Sequence, residues 1–349
     1  MQLPIIDDKA LIAFLTDLLN TPSPTGLAEP AIALTEEAFI SIGGVETQRT
    51  YKGALLVSLA GQKSDAPRAL TAHADTLGAM VKEIKGSGRL SLTQIGGYAW
   101  NAVENEGCTV MTRKSGMVRG SILLTKASTH VHGAEVTKTE RSEDTMEVRL
   151  DVVVKTADDV RKLGIEVGDF VSLDPRVEVV NGFVRSRHLD DKACVACILA
   201  AVKALATAGL KPVQTTHIFI SNYEEVGHGA AAGIPADVHE LVAVDMAAVG
   251  AGQNSDEFHT TICVKDSGGP YHHGLSSRLR DLAEEHGIDY KVDIYPHYGS
   301  DGEAWWGAGA NAAVALIGPG VDASHSYERT HLDALLATTR WVMAYLLGS

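Results

Sequence analysis

Residues 216–228 read Thr-His-Ile-Phe-Ile-Ser-Asn-Tyr-Glu-Glu-Val-Gly-His. The apolar run at the start predicts a buried strand, and it places Glu224 and Glu225 just beyond the carboxyl end of that strand. Open α/β sheets bind their ligands at the carboxyl ends of the strands. Two adjacent carboxylates point in different directions, so one can hold a metal ion while the other moves a proton. A solvated acidic turn is the alternative, and it is the commoner explanation for an isolated Glu-Glu pair.

Strands and helices alternate on both sides of this stretch, within residues 1–79 and 184–349. On the amino-terminal side we predict a helix capped by Asp7 or Asp8 that runs to about Asn20, a helix over 27–42, and strands over 54–59 and 69–73. On the carboxyl-terminal side we predict helices over 192–208, 272–287, 302–308 and 332–347, and strands over 214–222, 241–245, 260–264, 290–294 and 313–317. This alternation predicts an α/β fold class with a doubly wound, mostly parallel sheet.

Residues 80–183 have a different pattern. Short β-type runs such as 110–112, 121–124 and 146–154 alternate with glycine turns, and helical periodicity is limited to about 157–163. A linker is disfavoured because the segment is neither rich in Pro and Ser nor poor in apolar residues. We predict a small, β-rich, barrel-like domain inserted into the α/β chain.

The chain of 349 residues has a formal net charge of -14 and an apolar fraction of 45%. Its length and composition are typical of a globular protein with two domains. Nucleic acid is disfavoured as a partner because we find no cluster of Lys and Arg that would neutralise phosphates. The amino terminus has no basic segment followed by a long apolar run, and no apolar stretch nears membrane-spanning length. We therefore expect a cytoplasmic protein that binds neither nucleic acid nor membranes.

The four cysteines are too few and too scattered for a disulfide framework. Cys194 and Cys197 form a C-x-x-C motif, which leaves redox chemistry or a zinc ribbon as possible interpretations. Because the motif lies in a run of small apolar residues with helical character and has no second C-x-x-C, we favour buried helix packing.

Four further sites lie near predicted strand ends or loops. They are His73-Ala74-Asp75, Asp190-Asp191 before a helix, Asp245 after a buried strand, and His325 after a glycine-rich turn. Residues i and i+2 of an extended segment share a face, so the Asp of the first site can reach back and orient its His. Each site alone favours a structural explanation, such as a helix N-cap. Together they supply the bridging carboxylate and further ligands that two divalent ions about 3.5–4 Å apart require.

In their order along the chain, these motifs resemble one known family. The motifs are His73-x-Asp75, Leu189-Asp190-Asp191-Lys192, Glu224-Glu225-Val226-Gly227, Asp245 and His325-Ser326-x-x-Glu328. They resemble those of the glutamyl-aminopeptidase-like family of dinuclear metallo-aminopeptidases, which includes the tetrahedral aminopeptidases. The resemblance implies a zinc-peptidase/phosphorylase-like fold in which the inserted β domain, residues 80–183, mediates dimerisation.

The resemblance also implies a set of metal ligands. Asp190 would bridge two divalent ions, His73 and Asp245 would complete one of them, and Glu225 and His325 would complete the other. Oxygen and imidazole ligands without thiolate suit Zn, Co or Mn, and Zn is the default expectation.

Two further roles follow from the resemblance. Glu224 would act as the general base that takes a proton from a metal-bridging water and later protonates the leaving amine, and Asp75 would orient His73. The resemblance further implies a cis peptide bond between Asp190 and Asp191. The expected reaction is hydrolysis of N-terminal residues from short peptides.

Two segments are expected to form the walls of the substrate pocket, by analogy with the family: Tyr298–Gly302 and Ser267–Pro270. Two features depart from the family pattern, namely the segment Lys126–His130, which replaces a more proline-rich stretch, and Tyr327, which stands where a proline is common. Neither departure involves an expected metal ligand, so both concern how the subunits assemble more than how the reaction proceeds.

Two other functions are kept as alternatives. An amidohydrolase or carboxypeptidase of the related dinuclear class would carry its inserted domain after the Glu-Glu motif, as an α/β lid. A non-catalytic peptide-binding assembly protein would have lost a ligand or the base. The expected partners are short peptides and further copies of the chain, since the resemblance implies homodimers that build a hollow dodecamer.

Overall fold

The computed structural model describes residues 2–349 and divides the chain into two compact units. The first unit comprises the chain up to Asp75 together with Arg176–Ser349, and the second comprises Thr76–Pro175. Within residues 2–349, no helix combines the length and the apolar character needed to cross a membrane.

The first unit contains most of the helices and the larger sheet. Its helices are α1 (Asp8–Leu19), α2 (Glu29–Ile42), α6 (Leu189–Thr207), α7 (His273–Glu285), α8 (Asp301–Gly307) and α9 (Leu332–Leu347), with short 3-10 turns at Glu224–Val226 and Gly229–Ala231. Its strands are β1 (Val45–Arg49), β2 (Leu55–Leu59), β3 (Lys63–His73), β10 (Glu178–Val180), β11 (Phe183–Ser186), β12 (Gln214–Ser221), β13 (Glu240–Val244), β14 (Ala247–Val249), β15 (Thr260–Lys265), β16 (Tyr290–Ile294), β17 (Ala313–Asp322) and β18 (Glu328–His331).

These strands form one 12-stranded sheet whose main path runs β1-β2-β12-β3-β13-β17-β18-β11-β10. The four central strands, β12, β3, β13 and β17, pair in parallel. The neighbours on both edges of this group, β2 and β18, pair with it in the antiparallel sense. The α/β prediction is confirmed, with the parallel strands concentrated at the centre of the sheet.

The register of the central strands brings their carboxyl ends together. Ser221 at the end of β12 lies opposite His73 at the end of β3. The backbone N–H of Asp245, just after β13, donates to the carbonyl oxygen of Ile317 in β17. Because parallel strands end at the same edge, side chains distant in sequence meet there.

Helices α6 and α9 pack in the interior of this unit. Cys194 and Cys197 of α6 are fully buried free thiols among apolar neighbours. Trp341 of α9 is also fully buried, and its indole N–H donates to the carbonyl oxygen of Leu279 at 2.8 Å. The interpretation of the C-x-x-C as helix packing is therefore confirmed.

The second unit is a closed barrel with its own apolar core. Its strands are β4 (Gly78–Ile84), β5 (Leu90–Ile95), β6 (Gly107–Thr112), β7 (Gly116–Leu124), β8 (Met146–Leu150) and β9 (Phe170–Leu173), closed in the order β4-β5-β8-β7-β6-β9. Its helices are short: α3 (Thr129–His132), α4 (Glu135–Lys138) and α5 (Ala157–Lys162), with a 3-10 turn at Trp100–Ala102. Closure satisfies the edges that an open sheet of this size would expose.

The ends of the barrel unit differ from the sequence boundaries of 80 and 183. The compact unit begins at Thr76 because β4 already starts at Gly78. It ends at Pro175 because the next strands, β10 and β11, join the larger sheet through pairing of β11 with β18. A sequence pattern of consecutive short strands cannot distinguish strands of one sheet from those of another.

Candidate metal centre

The chain brings the five predicted metal ligands together at the carboxyl ends of the central strands. These residues are His73 at the end of β3, Asp190 at the start of α6, Glu225 after β12, Asp245 after β13, and His325 between β17 and β18. Regular helix in α6 begins only at Lys192, because Asp190 and Asp191 have non-helical backbone angles and are joined by a cis peptide bond. The predicted cis bond is thus confirmed.

One group of candidate ligands consists of His73, Asp190 and Asp245. Each offers one ligand atom, these atoms lie within 4.8 Å of one another, and all three residues are buried. The Nε2 atom of His73 lies 3.1 Å from Oδ1 of Asp190. Three buried donors at this spacing could hold a divalent cation.

A second group shares Asp190 with the first. The Nε2 atom of His325 lies 3.3 Å from Oδ2 of Asp190 and 3.7 Å from Oε2 of Glu225. The two carboxylate oxygens of Asp190 therefore face two different histidines, His73 and His325. A carboxylate in this position can supply one oxygen ligand to each of the two groups.

The orientation of His73 comes from the backbone of Asp75. The Nδ1 atom of His73 lies 2.9 Å from the carbonyl oxygen of Asp75, whereas the nearest carboxylate oxygen of Asp75 is 3.7 Å away. A carbonyl oxygen only accepts, so Nδ1 carries the proton and Nε2 is left to face Asp190. The expected contact through the carboxylate of Asp75 is replaced by one through its main chain.

The carboxylate of Asp75 instead holds the Glu-Glu turn. It accepts hydrogen bonds from the hydroxyl of Thr25 at 2.6 Å and from the backbone N–H groups of Glu224 and Glu225 at 3.2 and 3.4 Å. Asp75 is fully buried, so these bonds satisfy carboxyl oxygens that water does not reach. It therefore connects the strand that carries His73 to the turn that carries both glutamates.

Glu328 plays the corresponding part for the other histidine. Its Oε2 atom accepts from the backbone N–H of Asp190 at 3.1 Å, and its Oε1 atom accepts from the backbone N–H of His325 at 3.0 Å. Burial and the charge of Asp190 raise the pKa of Glu328 to about 8. Glu328 belongs to the last motif of the sequence, and the structure gives it a positioning contact with two candidate ligands.

Burial and mutual repulsion dominate the electrostatics of the cluster. Burial, followed by the charge of Asp190, raises the pKa of Asp245 to about 7 and the pKa of Glu225 to about 8. Burial also disfavours the charged form of Asp190, but hydrogen bonds from His325 and His73 lower its pKa below the ordinary range. For His73, burial opposes protonation, yet the charges of Glu224 and Asp190 raise its pKa well above the ordinary value.

The donors that are present fit a divalent cation. The Oδ1 atom of Asp245 is buried and has no hydrogen-bond partner, although the residue lies beside His73 and Asp190. A buried carboxylate oxygen without a donor is costly, and a bound cation would satisfy it. The donors are carboxylate oxygen and imidazole nitrogen, the set that Zn, Co and Mn accept.

Asp301 belongs to the predicted wall segment Tyr298–Gly302, but its contacts give it a different role. Its buried carboxylate accepts from the backbone N–H of Ala230 at 2.7 Å and from the hydroxyl of Thr71 at 3.0 Å. It thereby joins the segment after the Glu-Glu turn to β3. The residue follows Ser300, the N-cap of α8, and an acid in the first turn of a helix carries no sequence signal beyond helix stabilisation.

A cavity of about 940 Å³ opens beside the cluster. Its lining includes Glu224 and Glu225, and it is continuous with Tyr298, Gly299 and Ser300. The first predicted wall segment therefore does line the cavity over those three residues. The second, Ser267–Pro270, is not among the lining residues.

Sequence comparisons relate the chain to an aminopeptidase family and to proteins named as putative aminopeptidases. The family model described as M42 glutamyl aminopeptidase matches residues 53–340. "Putative aminopeptidase YhfE" of Bacillus subtilis (strain 168) is 47% identical over 339 residues, which cover 97% of each chain. "Putative aminopeptidase SgcX" of Escherichia coli (strain K12) is 30% identical over 47% of this chain and 43% of its own length.

Solved structures share the fold over nearly the whole chain. The aminopeptidase APDkam598 from the archaeon Desulfurococcus kamchatkensis superposes with a TM-score of 0.87 at 21% identity, covering 97% of this chain and 95% of its own. The TET1 peptidase of Pyrococcus horikoshii, which can assemble into a tetrahedron or a large octahedral shell, has a TM-score of 0.83 at 21% identity, covering 97% of this chain and 100% of its own. The likeness at this identity concerns the fold.

We predict that protein stripped of divalent ions by chelation loses stability as the pH rises from 5.0 to 8.5. The folded-state pKa values of Asp245 and Glu225 lie above their unfolded values of about 4, so the folded protein binds more protons in this window. His73 acts in the same direction. Its pKa is raised in the folded state, so its protonated form stabilises the fold, and this contribution is lost as the pH rises. Asp190 contributes no change, because its lowered pKa leaves it charged throughout the window.

The measurement is a thermal melt at both pH values with and without added Zn²⁺. The melting temperature of the chelated protein should fall by at least about 2 °C more than that of the metal-replete protein, which corresponds to roughly 1–2 kcal/mol in a chain of this size. Asp245→Asn should reduce the extra fall in melting temperature of the chelated protein, because it removes one of the carboxyl groups with a raised pKa. An equal fall with and without metal would contradict the electrostatic description of the cluster.

Proposed function

The chain belongs to the M42 glutamyl aminopeptidase family of dinuclear metallo-aminopeptidases and is a metal-dependent aminopeptidase, and on that premise we propose that it removes N-terminal residues from short peptides at a two-metal centre built on Asp190. The observation that carries this proposal is that the two oxygens of Asp190 face His73 and His325 separately, at 3.1 and 3.3 Å. A single-metal site would not need a shared carboxylate between two groups of donors.

In the proposed centre, Asp190 would be the ligand shared by two metal positions. His73 and Asp245 would complete one position, and Glu225 and His325 would complete the other. The first metal position is supported by the ligand atoms of His73, Asp190 and Asp245, which lie within 4.8 Å of one another. The second is supported by the distance of 3.7 Å between Nε2 of His325 and Oε2 of Glu225. Zn is the proposed metal, with Co or Mn as substitutes that the same donors accept.

Divalent cations at such a centre supply Lewis acidity, which lowers the pKa of water and polarises a carbonyl group. The proton is handled by Glu224. Its carboxylate lines the cavity, and its Oε2 atom lies 3.6 Å from Nε2 of His73. Burial raises the pKa of Glu224 well above the ordinary value, which suits a group that takes a proton from water and returns it to the leaving amine.

Exposure distinguishes the two glutamates of the turn. The side chain of Glu225 is only 3% exposed and faces His325, whereas that of Glu224 is 15% exposed. A residue that exchanges protons with solvent and substrate needs such access, and a ligand does not. This difference supports the assignment of Glu224 as the base and Glu225 as a ligand.

The alternatives drawn from the sequence are not favoured. The family match identifies an aminopeptidase, and the barrel unit Thr76–Pro175 precedes Glu224 in the chain, unlike the lid expected of the related amidohydrolases and carboxypeptidases. A non-catalytic assembly protein would have lost a ligand or the base, and the candidate set is complete.

We also propose that the barrel unit mediates dimerisation and that the dimers build a dodecamer in the cytoplasm. The assembly of the Pyrococcus horikoshii TET1 peptidase into a tetrahedron supports self-association of a chain with this fold. The four cysteines are free and buried, as is typical of proteins in a reducing compartment.

Replacing Glu224 tests its role as the base. We expect Glu224→Gln to retain both metal ions by elemental analysis but to lose about 10²-fold to 10⁴-fold in kcat on amino-acid nitroanilides, the usual contribution of a general base. Glu37→Gln, an exposed position on α2 with the same change in charge, serves as the control. Turnover of Glu224→Gln within a few-fold of the wild type would remove Glu224 as the base.

The proposed assembly has a mass that is easily measured. Twelve copies of the 37.0 kDa chain give a particle of roughly 440 kDa by light scattering after size exclusion. A species at the mass of a single chain, at micromolar concentration and with metal present, would contradict the dodecamer.

A further inference from the structure

The cavity beside the centre has one carboxylate that the proposed mechanism does not use. Four acidic lining residues are assigned as ligands or base, and the remaining one is Glu303, on α8. Among the lining residues that the structure describes, His297 and His325 are the only basic ones, and none is Lys or Arg. Bound cations would offset the charge of the ligands but not that of Glu303.

The side chain of Glu303 is held in place by two neighbouring residues. Its carboxyl group shares a hydrogen bond with the carboxylate of the buried Asp266 and accepts one from the backbone N–H of Gly268. A Cβ atom at residue 268 would lie 1.8 Å from Oε1 of Glu303, so only glycine permits this approach. The second predicted wall segment therefore shapes the cavity by supporting Glu303 and not by lining it.

Asp266, the neighbour of Glu303, is itself held by two donors. Its Oδ1 atom accepts from the backbone N–H of Gly268 at 3.0 Å, and its Oδ2 atom accepts from the hydroxyl of Tyr271 at 2.5 Å. Burial and the hydrogen bond to Asp266 raise the pKa of Glu303 to about 8. A cationic group that binds beside Glu303 favours its ionised form, whereas an anion finds no Lys or Arg in the cavity lining.

No ion pair offsets the charge of Glu303 within residues 2–349. Lys265 attracts it only from a distance, and the ammonium group of Lys265 donates to the carbonyl oxygen of Asp266 at 2.8 Å. The carboxyl group of Glu303 is thus available to a ligand in the cavity.

The wall next to Glu303 suits a long aliphatic stem. Ala304, Gly307 and Ala308 line the cavity on the same helical segment, and residues i and i+4 of a helix share a face. Small side chains there leave room for the methylene groups of a lysine or arginine, whose charged end would reach the carboxyl group.

We propose that Glu303 is a specificity-determining residue that selects peptides whose N-terminal side chain is cationic, that is, lysine or arginine. The inference rests on the proposed aminopeptidase function of the neighbouring centre. The inferred side chain is opposite in sign to the acidic one in the family description, because the unassigned ionisable group in this cavity is a carboxyl group that ionises as a cation binds.

The test compares lysyl, norleucyl and glutamyl nitroanilides with metal-replete enzyme. Lysine and norleucine share the aliphatic stem and the α-amine and differ in the side-chain ammonium. The wild type should prefer lysyl over norleucyl and hydrolyse glutamyl least. Glu303→Gln should reduce the lysyl-to-norleucyl ratio of kcat/KM by roughly 10- to 100-fold, the range for a hydrogen bond to a charged group, mainly through KM.

The norleucyl substrate reports whether Glu303→Gln is folded and competent, and its kcat/KM should stay within about twofold of the wild type, since it lacks the charge that Glu303 recognises. Glu37→Gln is the matched control and should leave the ratio unchanged. An equal loss on all three substrates would overturn the proposal, because it would indicate a contact with the shared α-amine or a structural role. A wild-type preference for glutamyl would also overturn it.

A binding measurement separates this inference from the proposed function. Calorimetry of lysinamide and norleucinamide with metal-loaded Glu224→Gln protein should show tighter binding of lysinamide, and the added Glu303→Gln change should abolish the difference. If no nitroanilide is hydrolysed by the wild type but lysinamide binds preferentially, the proposed function fails and the selectivity stands. Equal binding of the two amides would overturn the selectivity.

Discussion

Electrostatic repulsion among buried carboxylates is the constraint around which this chain is arranged. Asp190, Glu225 and Asp245 are packed with two histidines, and burial raises the pKa values of Glu225 and Asp245 far above those of exposed acids. A protein keeps such a costly cluster only where something offsets the charge. Membership of a family of dinuclear metallo-aminopeptidases identifies that compensation as divalent cations. We propose Asp190 as the side chain that two of them would share.

The sheet brings the candidate ligands together, and two further acidic residues set their orientation. Parallel pairing of the central strands brings the candidate ligands to one edge, but it does not orient them. Asp75 and Glu328 do so by accepting backbone N–H bonds: Asp75 holds the glutamate turn, and Glu328 holds the backbones at Asp190 and His325. The orientation of the ligands therefore depends on carboxylates that are not themselves assigned as ligands.

Much of the fold and the candidate site could be predicted from the sequence, because strand ends and helix caps are local signals. The helices of the α/β unit and the barrel-like insertion follow from the sequence pattern. The grouping of His73 with Asp190 and Asp245 is what the resemblance to the aminopeptidase family implies. Contacts between distant residues could not be predicted. The hydroxyl of Thr25 that binds Asp75 lies 50 positions away in the chain, and Glu303 gains its significance from its place in the cavity beside the metal centre.

The most direct test of the central claim is the number of metal ions per chain, measured by elemental analysis of metal-replete protein whose fold is checked by circular dichroism. A centre built on Asp190 predicts two ions in the wild type, one after His325→Ala, and none after Asp190→Ala, because the second change removes the shared ligand. Wild-type metal content in Asp190→Ala, or a single ion in the unmodified chain, would contradict the two-metal centre.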